Sequence, residues 1–198
     1  MKYLGRGWQY TTYDLGNGRV LKRYNLVLIG YAHMLKACFP FTKEPIWKLP
    51  AFYRGCKETA ADSMKKLPAL GLEPWMMGNP KVLNELDYEQ DKLIPLHAHF
   101  RSVDTERAKK TIDSFVAFST FLVEKSVIDK SFNMARNFAL DAQGRIVLMD
   151  LGELYSSKAA IDKQIRSRAW AATYNVAVLP RPLRNYFVAS MDEAFQAS

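Results

Sequence analysis

A chain of 198 residues, 48% hydrophobic and 13% aromatic, can fill one ordinary core or two small lobes, which excludes disorder along most of its length. Its 28 Lys and Arg against 20 Asp and Glu give a net charge of +8. That surface suits anionic partners such as nucleotides, phosphorylated sugars, nucleic acid or acidic lipid, or else simply keeps the chain solvated. Two cysteines, Cys38 and Cys56, are too few for a disulfide scaffold and have no zinc spacing, as expected of a reduced cytoplasmic protein. The N-terminal residues hold no apolar signal core. The most apolar stretch, Leu26 to Phe41, is interrupted by His33, Lys36 and Pro40 and so forms no membrane span.

The first 24 residues predict strand, glycine loop, strand, tight turn, strand. Tyr3-Leu4 leads into Gly5-Arg6-Gly7, a β-prone run covers Trp8 to Tyr13, and Asn17-Gly18 marks a hairpin before Arg19–Tyr24. Residues 25–52 are apolar with scattered Pro and Lys and take no firm assignment. A helix is expected over Tyr53–Leu67, stopped by Pro68 and Gly71, then a strand over Lys81–Leu86 and a connecting segment over 87–103. A long helix follows from Asp104 or Thr105 to about Lys125, on the period of Ile112, Phe115, Val116, Ser119, Leu122 and Val123. Two short strands, Phe138–Leu140 and Arg145–Met149, flank a turn at 141–144. A helix over Ser156–Tyr174 and a short one after Pro182 complete the chain.

Two distant segments ask for the same ligand. Gly5 and Gly7 sit between strands, where a backbone without Cβ atoms can approach phosphates, and Lys22 on a following strand can reach them. Taken alone, those residues are more often an ordinary hairpin. The second segment is a hairpin with Asn137 at one end and Asp150 at the other. A carboxylate beside an amide oxygen is a half-site for magnesium held to phosphates; the plain alternative is a pair of turn caps.

Together these residues resemble the protein-kinase-like phosphotransferases, over most of the chain up to Glu153. Gly5 and Gly7 look like the first glycines of the kinase glycine-rich loop, with Tyr10 replacing the third and Tyr13 matching its closing aromatic. Lys22 resembles the phosphate-binding lysine, Glu58 its helix glutamate, Asn137 the asparagine of the catalytic loop, and Asp150-Leu151-Gly152 the D-F-G segment. Within that family the opening Leu-Gly-x-Gly and the Asp-x-Gly-Glu ending are similar to the small bacterial YrbL-type proteins of the PhoP regulatory network. The resemblance implies an α+β, two-lobed minimal kinase-like fold: a small antiparallel sheet lobe over 1–90 and a reduced helical lobe over 91–198. It also implies ATP and Mg²⁺ bound in a cleft between lobes, with Gly5, Gly7, Lys22 and Glu58 on the nucleotide and Asn137 and Asp150 on the metal. A protein or small hydroxyl compound would accept the phosphoryl group.

The departures define the alternatives. The kinase base lies five positions before the asparagine, and here that position is Phe132; Met134 replaces the catalytic-loop lysine. Asp129, eight residues before Asn137, reaches an acceptor hydroxyl if the loop takes another path, and is otherwise a surface or turn residue. Only 45 residues follow Glu153, without A-P-E, so the usual peptide groove is not expected. A pseudokinase acting as a regulatory binding module is therefore the rival to an atypical kinase. His97 and His99 form a metal pair if they lie on a strand, and surface histidines otherwise. Lys109, Lys110, Arg166, Arg168, Arg181 and Arg184 make either an anion patch or solvated helix faces. Trp47, Trp75 and Trp170 read as packing residues, and no aromatic–basic interleaving suggests an RNA platform.

Overall fold

The computed structural model describes residues 1–7, 9–30, 32 and 48–196. Trp8, Cys38, Trp47 and most of the unassigned 25–52 stretch lie outside them. The chain divides into two compact units: Met1–Pro68 with Asn79–Lys92 and Leu151–Glu153, and Ala69–Gly78 with Leu93–Asp150 and Leu154–Ser198. The expected domains, 1–90 and 91–198, differ from these units at three segments, 69–78, 91–92 and 151–153. Residues 69–78 join the second unit because Met76 and Met77 are buried there beside the strand Ile146–Leu148.

The first unit is a five-stranded antiparallel sheet with one long helix. Strands β1 (Lys2–Arg6), β2 (Tyr10–Asp14) and β3 (Arg19–Tyr24) form the expected meander. The turn between β2 and β3 puts Gly16 and Gly18 at φ of 82° and 77°, a conformation that favours glycine. Asp14 and Asn17 side chains accept the Gly16 and Arg19 amides there. The predicted strand at 81–86 shrinks to β4 (Lys81–Val82), because Asn84 turns the chain by accepting the Leu86 and Asp87 amides. The supposed connecting segment begins instead with β5 (Tyr88–Asp91), which inserts between β3 and β4 to give the order β1-β2-β3-β5-β4.

Helix α1 spans Leu49–Lys66, beginning four residues before the expected start because Pro50 occupies its first turn, where no amide is needed. Tyr53, Cys56, Ala60, Met64 and Leu67 form its buried stripe at helical spacing. The Tyr53 hydroxyl donates to the Asn25 carbonyl at 2.8 Å, and the Tyr53 ring fills the space that a Cβ on Gly30 would need.

The second unit is mainly helical. Its sheet has the order β6 (Ile94–Pro95), β8 (Phe138–Leu140), β9 (Ile146–Leu148), and a two-residue ladder joins β7 (Ile128–Asp129) to β10 (Leu154–Tyr155). Short α2 (Leu96–His99) precedes α3 (Thr105–Glu124), whose first turn is capped by the Asp104 carboxylate accepting the Arg107 amide. α4 is the single turn Met134–Asn137. The predicted helix over Ser156–Tyr174 is broken: α5 (Lys158–Arg166) stops before Arg168, whose φ of 50° is left-handed, and α6 covers only Thr173–Val176. The last helix is longer than expected, since α7 runs Arg181–Gln196 with Pro182 in its first turn.

α7 packs on α3. Phe115 stands edge-on to Phe138 at 4.8 Å and 6.0 Å from Phe187, tying α3, β8 and α7 into one core. Phe115→Ala should therefore cost about 3–5 kcal/mol. Urea unfolding followed by far-UV circular dichroism checks this; an unchanged midpoint would place the core elsewhere.

Candidate functional site

The first unit carries the glycines and Lys22. Gly5 pairs with Thr12 just after a register shift in β1, and space around it is open, with no atom within 4 Å of an added Cβ. The Gly7 amide donates to the Tyr10 carbonyl at 2.8 Å, which closes the β1–β2 turn, and its carbonyl accepts from the Asn25 side chain at 2.8 Å. Neither glycine takes a left-handed backbone. The predicted loop is thus a tight turn held from below by Asn25.

Lys22 lies on the buried face of β3, opposite Thr12 on β2 and Tyr88 on β5. Its ammonium sits 5.5 Å from the centre of the Tyr88 ring, a cation–π arrangement that stabilises a charge with little water around it. The segment Leu151–Glu153 packs on this same aromatic face. The Leu151 amide donates to the Tyr88 hydroxyl at 3.3 Å, and the Gln9 amide donates to Glu153 at 3.3 Å. A Cβ on Gly152 would come within 2.9 Å of the Tyr10 ring, so only glycine fits without displacement. Sequence reasoning missed Tyr88 and Gln9, because neither belongs to a motif and only the strand pairing reveals them.

Glu58 departs from its expected role. It is exposed on α1, on the face opposite the Cys56 and Ala60 stripe, and among the described residues no ion pair joins it to Lys22. The helical phase set by Tyr53, Cys56, Ala60 and Met64 turns position 58 to solvent.

The second unit gathers the remaining predicted residues. Asp129 ends β7 and is 1% exposed. Its Oδ1 accepts from the Asn137 side-chain amide at 2.7 Å. Its Oδ2 accepts the Ser131 amide at 3.2 Å, the Ser131 hydroxyl at 3.0 Å and the Asn133 amide at 3.1 Å. Asp129 is therefore neither a surface residue nor a simple turn residue. Burial raises its pKa above the ordinary carboxyl value, and the nearby Asp150 charge pushes the same way, while the hydrogen bonds from Asn137, Asn133 and Ser131 oppose the shift. The Asn137 carbonyl accepts the Met149 and Asp150 amides at 2.8 and 3.1 Å, which fastens the start of Asp150 to the end of α4.

The loop between Asp129 and Asn137 is three residues longer than the kinase spacing. Within it Phe132 takes a φ of 48°, strained for a bulky side chain. Its ring is buried edge-on to Trp170 at 5.6 Å and against Phe195 at 5.8 Å. Asn175, which no sequence pattern singled out, donates to the carbonyls of Ser131 at 2.6 Å and Ala169 at 2.9 Å, clamping the loop from α6.

The other candidates resolve into structural roles. His97 and His99 lie on a helical turn rather than a strand. His97 Nδ1 is 3.2 Å from the Ala135 carbonyl and His99 Nε2 is 3.0 Å from the Thr111 hydroxyl, so they form no metal pair. Burial, reinforced by the Arg107 charge, lowers the His99 pKa. Among the described residues no cluster of three or more His, Cys, Asp or Glu could hold a metal by itself. Arg168 pairs with Asp192, and Arg184 donates to the Leu179 and Ala177 carbonyls, so both serve packing. Trp75 lies under the Arg145 guanidinium at 3.9 Å, and Trp170 is wholly buried.

No family model matches the chain. No curated protein matches it either. Solved structures do. A co-crystal structure of WbdD with the kinase inhibitor LY294002 matches at a TM-score of 0.51 with 14% identity, covering 100% of this chain and 45% of that one. A structure of the bifunctional kinase-methyltransferase WbdD matches at 0.44, with 14% identity, over 96% of this chain and 42% of that one. A complex of Rv3197 with erythromycin from Mycobacterium tuberculosis matches at 0.46, also at 14%, over 93% of this chain and 51% of that one. The chain thus spans about half the length of the structures it resembles. The fold is α+β and kinase-like, with an antiparallel sheet and a helical part. No described helix is long and apolar enough to cross a membrane.

The raised Asp129 pKa fixes a sign for stability against pH. The contribution of the carboxyl is fully present below its unfolded value near 3.8 and is lost as pH rises through its higher folded value. The melting temperature of Asp129→Asn minus that of wild type should therefore increase as pH rises through that window. A difference that does not vary with pH removes the burial argument.

Proposed function

We propose that the chain is an atypical kinase-like phosphotransferase that binds a nucleoside triphosphate, ATP, together with Mg²⁺. The observation that carries this reading is the Asp129–Asn137 hydrogen bond of 2.7 Å, with the Asn137 carbonyl tied to the Asp150 amide. It supports a general base, a metal-binding amide and a metal-binding carboxylate on one short stretch of backbone. The loss of the expected aspartate at position 132 was the chief argument for a binding module without catalysis, and Asp129 supplies a carboxylate in its stead.

The donor set fits the metal. Mg²⁺ favours oxygen ligands and is commonly held by one or two carboxylates plus phosphates and water, not by a protein cage. Asp150 and the Oδ1 of Asn137 are oxygen donors of that kind, and the lack of a three-residue cluster among the described residues agrees with a metal that arrives with its nucleotide. When bound, the metal neutralises charge on the phosphates. Lys22 is the residue for the phosphates, set on a buried sheet face 5.5 Å from the centre of the Tyr88 ring, and the backbone at Gly5 and Gly7 is proposed to cover them. Glu58 plays no part. The phosphoryl acceptor is a protein or a small hydroxyl compound, and kinship with the YrbL-type proteins rests on the sequence motifs at Leu4–Gly7 and Asp150–Glu153.

A ligand that binds only the folded chain raises its melting temperature by mass action. Millimolar ATP should raise it in a Mg²⁺-dependent manner. Asp150→Asn should abolish the Mg²⁺-dependent part, and Lys22→Ala should weaken the shift with or without metal. No shift in wild type at millimolar ATP would leave a kinase-shaped scaffold; an undiminished shift in Asp150→Asn would sink the metal assignment.

A further inference from the structure

The hydroxyl that touches the proposed base belongs to the chain itself. Ser131 Oγ donates to Asp129 Oδ2 at 3.0 Å and lies 3.5 Å from the Asn137 amide nitrogen. A carboxylate offers about four acceptor sites. At Asp129 they receive Asn137 Nδ2, the Ser131 amide, the Ser131 hydroxyl and the Asn133 amide. Three of those donors are amides held by the fold. Oδ1 thus holds one donor and Oδ2 three, and the Ser131 hydroxyl is the one hydroxyl among these donors.

Ser131 is also placed as a nucleophile needs to be. Asp129 is 1% exposed, whereas Ser131 is half-buried and retains access from solvent. The Ser131 carbonyl is gripped by Asn175 at 2.6 Å, so its backbone does not drift from the base. A nucleophile hydrogen-bonded to a base, with the base itself oriented by a third group, is the arrangement that activates a hydroxyl. Here the third group is Asn137.

We infer that Ser131 is itself a phosphoryl acceptor, and that the chain transfers the γ-phosphoryl group of a nucleoside triphosphate to it within one molecule. The inference rests on the nucleotide reading above. Ser131 Oγ forms a bond to the γ-phosphorus as the bond from that phosphorus to the β–γ bridging oxygen breaks. The electron pair leaves with the nucleoside diphosphate. The hydroxyl proton passes to the Asp129 carboxylate and from there to water. The phosphoserine brings close to two negative charges beside Asp129 and Asp150, so the reaction stops after one turnover per chain.

The test uses the full chain with Mg²⁺ and ATP, followed by intact mass and peptide mapping, with the ATP-induced thermal shift measured alongside. The expected result is one phosphate per chain, on Ser131, at a rate constant independent of protein concentration. Ser131→Ala should lose incorporation while keeping the thermal shift, Ser131→Thr, which preserves a hydroxyl, should retain incorporation, and Asp129→Asn should lose it. A thermal shift without incorporation, or incorporation that persists in Ser131→Ala, overturns the inference and leaves the nucleotide reading standing. A rate that scales with protein concentration overturns transfer within one molecule. Absence of any shift in the wild type overturns both readings.

Discussion

The second unit is organised around one buried carboxylate. Asp129 is taken out of water at the end of β7, and such a group is tolerated only where the fold supplies donors. Four are supplied, from Ser131 twice, Asn133 and Asn137. Meeting that demand dictates the loop: the chain curls back on Asp129 immediately, turns through a left-handed Phe132, and completes a helical turn that delivers Asn137. Asn137 in turn receives the amides of Met149 and Asp150. The loop shape and the placement of Asn137 are thus consequences of a single desolvated group.

The first unit follows a different logic. Its sheet buries an aromatic face made by Tyr10, Tyr24 and Tyr88, whose rings meet edge-on at 5.3 and 5.5 Å. Lys22 is set into that face, where the Tyr88 ring partly replaces water. The Leu151–Glu153 segment is fitted onto it through Tyr88, Tyr10 and Gln9. The small size of Gly152 is a packing requirement here, imposed by the Tyr10 ring.

Much of this was legible in the chain. The β-meander is local, and its turn residues announce it. The stripes of α1 and α3 show in their periodicity, and the hairpin that brings Asn137 and Asp150 to its open end shows in its turn residues. What was hidden depends on distance in sequence. β5 is too polar to read as a strand until β3 and β4 pair with it. Glu58 matched a motif by position, but helical phase turned it outward. Asp129 fell outside the kinase spacing, and the loop that still returns Asn137 to it passes through a left-handed Phe132, which no pattern of residue types encodes. Asn175 lies 44 residues from the loop it clamps and had no signal at all.

Phe132 also sets what the loop can become. Its ring is wedged between Trp170 and Phe195, so restoring an aspartate at that position would bury a carboxylate in an aromatic nest. The motif therefore cannot be repaired one residue at a time. Any route between this loop and the shorter kinase form must change loop length and core packing in the same step, which makes the two forms separate islands for point mutation.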